Sequence, residues 1–423
     1  MRAITLGLVG SLLASASALS AETTIIHADR VITDPSTAPM GRSTVTVTDG
    51  RIVSVEEGWA EAPEGAEMVH LEGKTLVPGL IDLHVHLTGD PGGDFWREAV
   101  EPDEWGVVVG VKNAEKTLKA GFTTVREAGS AQHTAFSLRR GTEEGLIQGP
   151  RIIAAGPPLA IVGGHGDVSG FKPEINAILS SGYSCTGPVE CAEKVRRASQ
   201  NGADIIKITA TGGVLSQQGR GLEAHFSDAE MKSIADTAHS LGLDVMAHAH
   251  GARGIEAAAK AGIDTIEHAT YLDEAAAKAM KDNGTVLIPT LMAFQGVTER
   301  LGQGVYTPTV ETKIRDVAEI ARVFMGKAYR WGVPIAFGTD AGVFEHGRNA
   351  GEFALMVGQG MTNRDALATA TTNAAKVLHM EHEIGRIAPG YSADMIAVEG
   401  NPLEDVTALE DVDWVMVRGR IAD

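Results

Sequence analysis

The sequence predicts an α/β fold: a (β/α)8 TIM-like barrel with a small β-sandwich built from both ends of the chain. Three observations carry this expectation. Short apolar runs recur through the middle of the chain, separated by stretches long enough to be helices, and that alternation argues for βαβ units and a parallel sheet. Several of these runs end in a histidine, a lysine or an aspartate, and barrel chemistry sits at the carboxyl ends of the strands. The outer segments alternate polar and apolar residues with a period of two, as half-buried strands do.

Taken in order, the first 21 residues hold one charged residue, Arg2, then an apolar stretch closing on Ala16-Ser-Ala18-Leu-Ser-Ala21. A short apolar core before small residues reads as a secretory signal peptide (residues 1–21), cleaved after Ala18 or Ala21. The expected location is therefore periplasmic or secreted, with no membrane insertion after processing. Residues 22–77 contain Val45-Thr-Val-Thr48 and Arg51-Ile-Val-Ser-Val55 flanking an Asp49-Gly50 turn. Residues 388–423 read the same way, from Ala393-Asp-Met-Ile-Ala-Val398 to Val415-Met-Val-Arg-Gly-Arg420, so these two segments are paired as the sandwich.

Residues 78–387 form the expected barrel. Its strands are read at Gly79–His86, Phe122–Glu127, Arg151–Ala155, Asp204–Thr209, Asp244–His250, Ile263–His268, Thr285–Pro289 and Pro334–Asp340. Ser227-Asp-Ala-Glu230 is a capping-box start, and its helix runs to Leu241 before Gly242 stops it. Leu272 to Lys281, closed by Asn283-Gly284, reads as another helix.

The chemistry-bearing residues lie on those strands. Asp82-Leu-His84-Val-His86 places two imidazoles on one face of a strand end, because successive side chains alternate. Lys207 interrupts the apolar strand Asp204-Ile-Ile-Lys-Ile-Thr209. His248 and His250 share a face of the next strand, His268 ends the one after, and Asp340 ends the last. The bland alternative for His84 and His86 is a pair of strand-end histidines with ordinary hydrogen bonds, but several ligand-bearing strand ends together point to a metal centre.

This pattern resembles the amidohydrolase superfamily, and the match covers nearly the whole mature chain. The Gly163-Gly-His-Gly-Asp167 loop, the Gly212-Gly-Val-Leu-Ser216 turn and the Glu345-His-Gly-Arg-Asn349-Ala-Gly-Glu352 segment resemble its Xaa-Pro dipeptidase (prolidase) branch, related to imidazolonepropionase and to ochratoxin-hydrolysing amidases. The resemblance implies two divalent metal ions, taken as zinc. His84, His86 and Asp340 would hold one and His248 and His268 the other, with carboxylated Lys207 between them. A solvated lysine is neutral only about once in 2,500 molecules at pH 7, but burial lowers its pKa and frees an amine to take up carbon dioxide.

Asp340 is assigned as general base and acid, with His165 and His250 polarising the scissile carbonyl or holding its oxyanion. Arg220 and His225, in the segment following the lysine strand, are candidates for binding a substrate carboxylate, and Tyr271 is a further substrate contact. The expected activity is hydrolysis of an amide to a carboxylate-bearing amino acid: a dipeptidase, carboxypeptidase or N-acyl amino acid amidase, ochratoxin-type amides included. The alternative is a cyclic amidase or deaminase of the imidazolonepropionase type, which does not need Lys207. A non-enzymatic scaffold is disfavoured because all the ligand types are present.

The net charge of −19, without a basic cluster, disfavours a nucleic-acid partner. The expected partners are a small-molecule or dipeptide substrate and further copies of the chain in a homo-oligomer. Cys185 and Cys191 lie six residues apart, and export favours a disulfide over the alternative of two free thiols.

Overall fold

The computed structural model describes residues 22–92, 95–217, 219 and 221–422. The expected signal peptide and Arg220 lie outside the described residues. Thr23–Val31 (β1), Ser43–Thr48 (β2), Arg51–Glu57 (β3) and Glu67–Pro78 (β4) come first. Leu80–Val85 (β5), Phe122–Glu127 (β6) and Arg151–Ala154 (β7) follow, then the short pair Ala160–Ile161 (β8) and Ser184–Cys185 (β9). Next come Ile206–Thr209 (β10), Val245–Ala249 (β11), Thr265–His268 (β12) and Val286–Ile288 (β13). Met395–Glu399 (β14), Val412–Val417 (β15) and Arg420–Ile421 (β16) close the chain.

The two ends of the chain form a seven-stranded sheet in the order β16-β15-β14-β4-β1-β2-β3. Period-two alternation puts Ile26 and Ala28, Val45 and Val47, Leu76, Met395, Ala397 and Met416 into one buried apolar cluster. It is one continuous hydrogen-bonded sheet, and its outer parts meet: Ile52 N on β3 donates to Tyr391 O and Ala393 N to Gly50 O, both at 2.9 Å. Its continuity comes from β4, which is 12 residues long. It pairs in parallel with β1 from Glu67, shifts register where Ala28 gives way to Arg30, and pairs antiparallel with β14 from Lys74 to Pro78. One strand thereby carries the hydrogen bonding from the first part of the chain to the last.

The interior is α/β with parallel sheets, β5-β6-β7 and β10-β11-β12-β13. Asp204 N, just before β10, donates to Ala154 O of β7 at 2.9 Å, and a parallel bridge joins Leu159 to Ile208, with Leu159 N donating to Lys207 O at 2.8 Å and Thr209 N to Leu159 O at 3.1 Å. The eighth expected strand, Pro334–Asp340, pairs through isolated bridges, Leu287 to Ile335 and Val85 to Ala341, instead of a regular ladder. It runs between β13 and β5, with Leu287 N donating to Pro334 O at 2.8 Å and Asp340 N to His84 O at 2.7 Å. Gly338 explains the closeness: a Cβ there would lie 2.3 Å from Ile288 Cγ2 and 3.1 Å from His84 Cβ.

The capping box at Ser227 forms, and its helix spans Asp228–Ser240. The helix expected over 272–281 is instead Glu274–Asn283. Its boundary is set by Asp273, whose side chain accepts from Ala276 N at 2.8 Å, and Gly284 ends it in a left-handed conformation. Leu118, Met231, Ile255 and Met280 of the surrounding helices are buried in one core with the parallel strands. A disulfide joins Cys185 on β9 to Cys191 in the helix Pro188–Gln200. No helix of the described residues is long and apolar enough to cross a membrane.

Candidate metal centre

The strand ends bring His84, His86, Lys207, His248, His250, His268 and Asp340 into one cavity of about 500 Å³. Ligand atoms of His84, His268 and Asp340 lie within 4.8 Å of one another, and all three residues are buried. Asp340 Oδ1 is 3.3 Å from His84 Nε2 and 3.2 Å from His86 Nε2. Lys207 Nζ is 3.5 Å from His84 Nε2. The His248 ring sits 4.6 Å from that of His268. Three site residues leave their segments left-handed, His268 at φ 74°, Thr290 at φ 50° and Asp340 at φ 63°. Such backbone is uncommon for side chains with a Cβ and an outlier for a β-branched one, and it turns these groups out of the sheet direction.

Hydrogen bonds fix which ring nitrogen of each histidine faces the centre. His84 Nδ1 meets Glu267 Oε2 at 2.7 Å and His86 Nδ1 meets Gly129 O at 2.9 Å. Acceptor-only partners require Nδ1–H on both rings, which turns both Nε2 atoms toward Asp340 and the centre. His268 Nδ1 meets Thr290 Oγ1 at 2.6 Å, which leaves its Nε2 for the centre. His248 is turned the other way: its Nε2 meets Gly212 O at 3.2 Å, so Nδ1 is the available donor.

Electrostatics agree with a cation site. Burial, followed by neighbouring histidines, holds His248 and His268 well below the ordinary imidazole range, so both are neutral imidazoles. Burial would raise the Asp340 carboxyl, but His84 and His86 outweigh it and hold that carboxyl well below its usual range. Burial lowers Lys207 to about 8, so about one amine in ten is neutral at pH 7.

The groups behind the ligands were not singled out from the sequence. Glu267 is fully buried and also accepts from Arg126 Nη2 at 2.9 Å and Thr265 Oγ1 at 2.6 Å. Asp82 accepts from Asn349 Nδ2 at 2.8 Å and Thr339 Oγ1 at 2.6 Å, fixing the segment that ends in Asp340 to β5. The signal was weaker than for Lys207: Arg126 and Glu267 are charged residues inside fully buried strands, but those strands also carry threonines and, beside them, Glu127 and His268.

The remaining candidates divide by position. His165 and His250 line the cavity, and burial lowers each to about 3. The His165 ring lies 4.2 Å from His248, with Nδ1 on Ser216 Oγ at 2.7 Å, and His250 Nδ1 meets Thr270 Oγ1 at 2.7 Å. His225 Nδ1 lies 3.5 Å from His165 N, and neither His225 nor Tyr271 lines the cavity. The Tyr271 phenol is pushed up by burial, then by Asp316 and Glu223. The cavity lining also includes the apolar side chains of Val214, Leu215, Phe294, Val297 and Val343.

The neutral imidazoles of His248 and His268, the Asp340 carboxylate and a Lys207 amine of lowered basicity, beside the His84 and His86 rings, make a donor set that fits divalent cations of the zinc type. Residues 75–422 match the amidohydrolase family, and the chain belongs to it. It is a hydrolase of C–N bonds. Ochratoxinase of Aspergillus niger is 31% identical over 423 residues, covering 94% of this chain and 85% of that protein. A crystal structure described as a Xaa-Pro dipeptidase with methionine bound in its active site superposes with a TM-score of 0.87 and is 37% identical, covering 95% of this chain and 99% of that one. An imidazolonepropionase of Rhizorhabdus wittichii is 25% identical over 417 residues, covering 88% of this chain and 93% of that protein.

Proposed function

We propose that this chain hydrolyses a linear amide whose amine side is an amino acid with a free carboxylate, such as a dipeptide or an N-acyl amino acid. The observation that carries the reading is Lys207, buried with its amine 3.5 Å from His84 Nε2. An amine beside metal ligands makes sense once it has taken up carbon dioxide, R–NH2 + CO2 → R–NH–COO⁻ + H⁺, which turns a repelling cation into a bridging anion. His84, His86 and Asp340 would then hold one divalent ion, taken as zinc, and His248 and His268 a second, with carboxylated Lys207 between them. Two such ions supply an activated water and polarise the scissile carbonyl.

This chain's own residues do the rest. Asp340 takes the proton of the attacking water as the new C–O bond forms, then delivers it to the nitrogen as the C–N bond breaks, releasing acid and amine. Asp340 is ionised at neutral pH, so its carboxylate oxygens are open to the proton. His250 and His165, neutral and lining the cavity, orient or polarise the carbonyl. Arg220 and His225 are proposed to serve the substrate carboxylate, with Tyr271 as a further contact. The parallel strands and the Pro334–Asp340 segment are taken to close into a (β/α)8 barrel, in keeping with the bridges on both sides of that segment. Export after cleavage of residues 1–21, a periplasmic or secreted location and a homo-oligomeric state belong to the same reading.

The relatives support this choice, since one is named for a dipeptide class and another for ochratoxin. The imidazolonepropionase relative keeps a cyclic amidase or deaminase as the second reading. A library of dipeptides and N-acyl amino acids, compared with their carboxyl-amidated forms and with cyclic ureas and lactones, decides between them. Amidation is expected to lower kcat/KM by about 10- to 150-fold, the equivalent of losing one charge-assisted bond of roughly 1.5–3 kcal/mol. Preference for the cyclic compounds, or indifference to amidation, transfers the assignment to the second reading.

A further inference from the structure

The helix Leu291–Glu299 begins abnormally. A helix start usually places its N-cap residue in extended backbone, with a side-chain oxygen accepting from the first free N–H groups. Here the N-cap is Thr290, left-handed at φ 50° and ψ 45°, and its side chain makes no cap bond. Its hydroxyl is committed elsewhere, to Pro289 O at 2.8 Å and to His268 Nδ1 at 2.6 Å. A hydroxyl has one proton, and giving it to Pro289 O leaves an oxygen that accepts from His268 Nδ1–H.

The missing cap is supplied from 61 residues away. Glu352 Oε1 accepts from Leu291 N at 2.8 Å and Oε2 from Met292 N at 2.7 Å. Thr290 and Glu352 are both fully buried. A left-handed threonine persists only where its surroundings over-determine it. The other constraint on Thr290 is its own N–H, which donates to Gly338 O at 3.2 Å in the segment that ends in Asp340.

We propose that Glu352 and Thr290 form one positioning device for His268: the Glu352 carboxyl caps the helix in place of Thr290, which frees the threonine hydroxyl to fix the tautomer and ring orientation of His268. Neither residue touches substrate. The inference rests on His268 being a metal ligand, but its first readout does not need the metal.

In metal-free protein with 15N-labelled histidine, His268 should show a single tautomer protonated at Nδ1. Thr290→Val, which keeps the shape and removes the hydroxyl, should shift that signal toward a mixture of tautomers. Thr290→Ser should restore it, and Glu352→Gln should disturb it in the same direction as Thr290→Val. Zinc affinity by chelator competition should fall about 10- to 100-fold in Thr290→Val and in Glu352→Gln. Because the two act as one device, the double variant should be no weaker than the worse single. An unchanged His268 signal in folded Thr290→Val, or losses that multiply in the double variant, overturns the proposal. Wild-type protein that binds no zinc, with the His268 signals as expected, instead sinks the metal-dependent function and leaves the positioning device supported.

Discussion

Glu267 separates stability from metal binding in a single residue. One oxygen accepts from the His84 ring at 2.7 Å, and the other holds the Arg126 guanidinium at 2.9 Å, with both charged groups almost wholly inaccessible. Glu267→Gln leaves a buried cation without its anion, a loss of about 3–5 kcal/mol. An unfolding entropy of roughly 2.1 cal/mol/K per residue, over roughly 400 residues, gives about 0.8 kcal/mol/K, so the midpoint of the metal-free protein should fall by about 4–6 °C. Zinc affinity should fall about 10- to 100-fold as well, because the amide holds the imidazole less firmly than the carboxylate does. Removing the stranded cation tells the two losses apart: Arg126→Met with Glu267→Gln should regain most of the midpoint, yet zinc should still bind weakly. Thermal unfolding of metal-free protein and chelator competition measure the two quantities. A single variant within about 1 °C of wild type, or a double variant that recovers zinc affinity together with stability, would refute the reasoning.

Lys207→Ala should lower bound metal from about two ions per chain and abolish most activity; wild-type metal content with full activity would contradict the bridging role. Asp340→Asn should lose nearly all turnover, since an amide does not accept the water proton, whereas His165→Ala should keep its metal and lose rate, so a metal-free His165 variant would move that residue into the ligand set. Lys313, buried with its amine donating to Gly213 O at 2.8 Å and Ser216 O at 2.6 Å, is lowered by burial from 10.5 to about 8. Between about pH 8 and 10.5 the unfolded chain therefore holds a proton that the folded chain has released, so stability should rise with pH across that window. The midpoint of Lys313→Met should rise less across that window than that of wild type, the remainder coming from Lys207, and a parallel pH profile would refute the shift. Mass measurement of protein recovered from the periplasm should show cleavage after Ala18 or Ala21 and no alkylatable thiol at Cys185 or Cys191.

Much of the site was legible in the sequence because strand periodicity is local. His84 and His86 had to share a face whatever surrounded them, and Lys207 stood out as a charge within an apolar run. The capping box at Ser227 is equally local, needing only the spacing to Glu230, and it forms as read. The helix after His268 was misplaced by two residues because Leu272 continues the apolar pattern while Asp273 holds the cap.

What tertiary structure alone decided depends on partners far apart in the chain. The orientation of His84 comes from Glu267, 183 residues away, and the capping of the helix after Thr290 from Glu352. Neither pairing has a spacing rule, because each is set by which strands the fold makes neighbours. The same holds for the single seven-stranded sheet, where alternation identified the strands but could not say that β4 would bond to β1 on one side and β14 on the other. Residue type and periodicity determine which groups face a common point. Which nitrogen each histidine turns toward it, and how far its basicity falls, follow from the burial and hydrogen bonds that only the assembled chain provides.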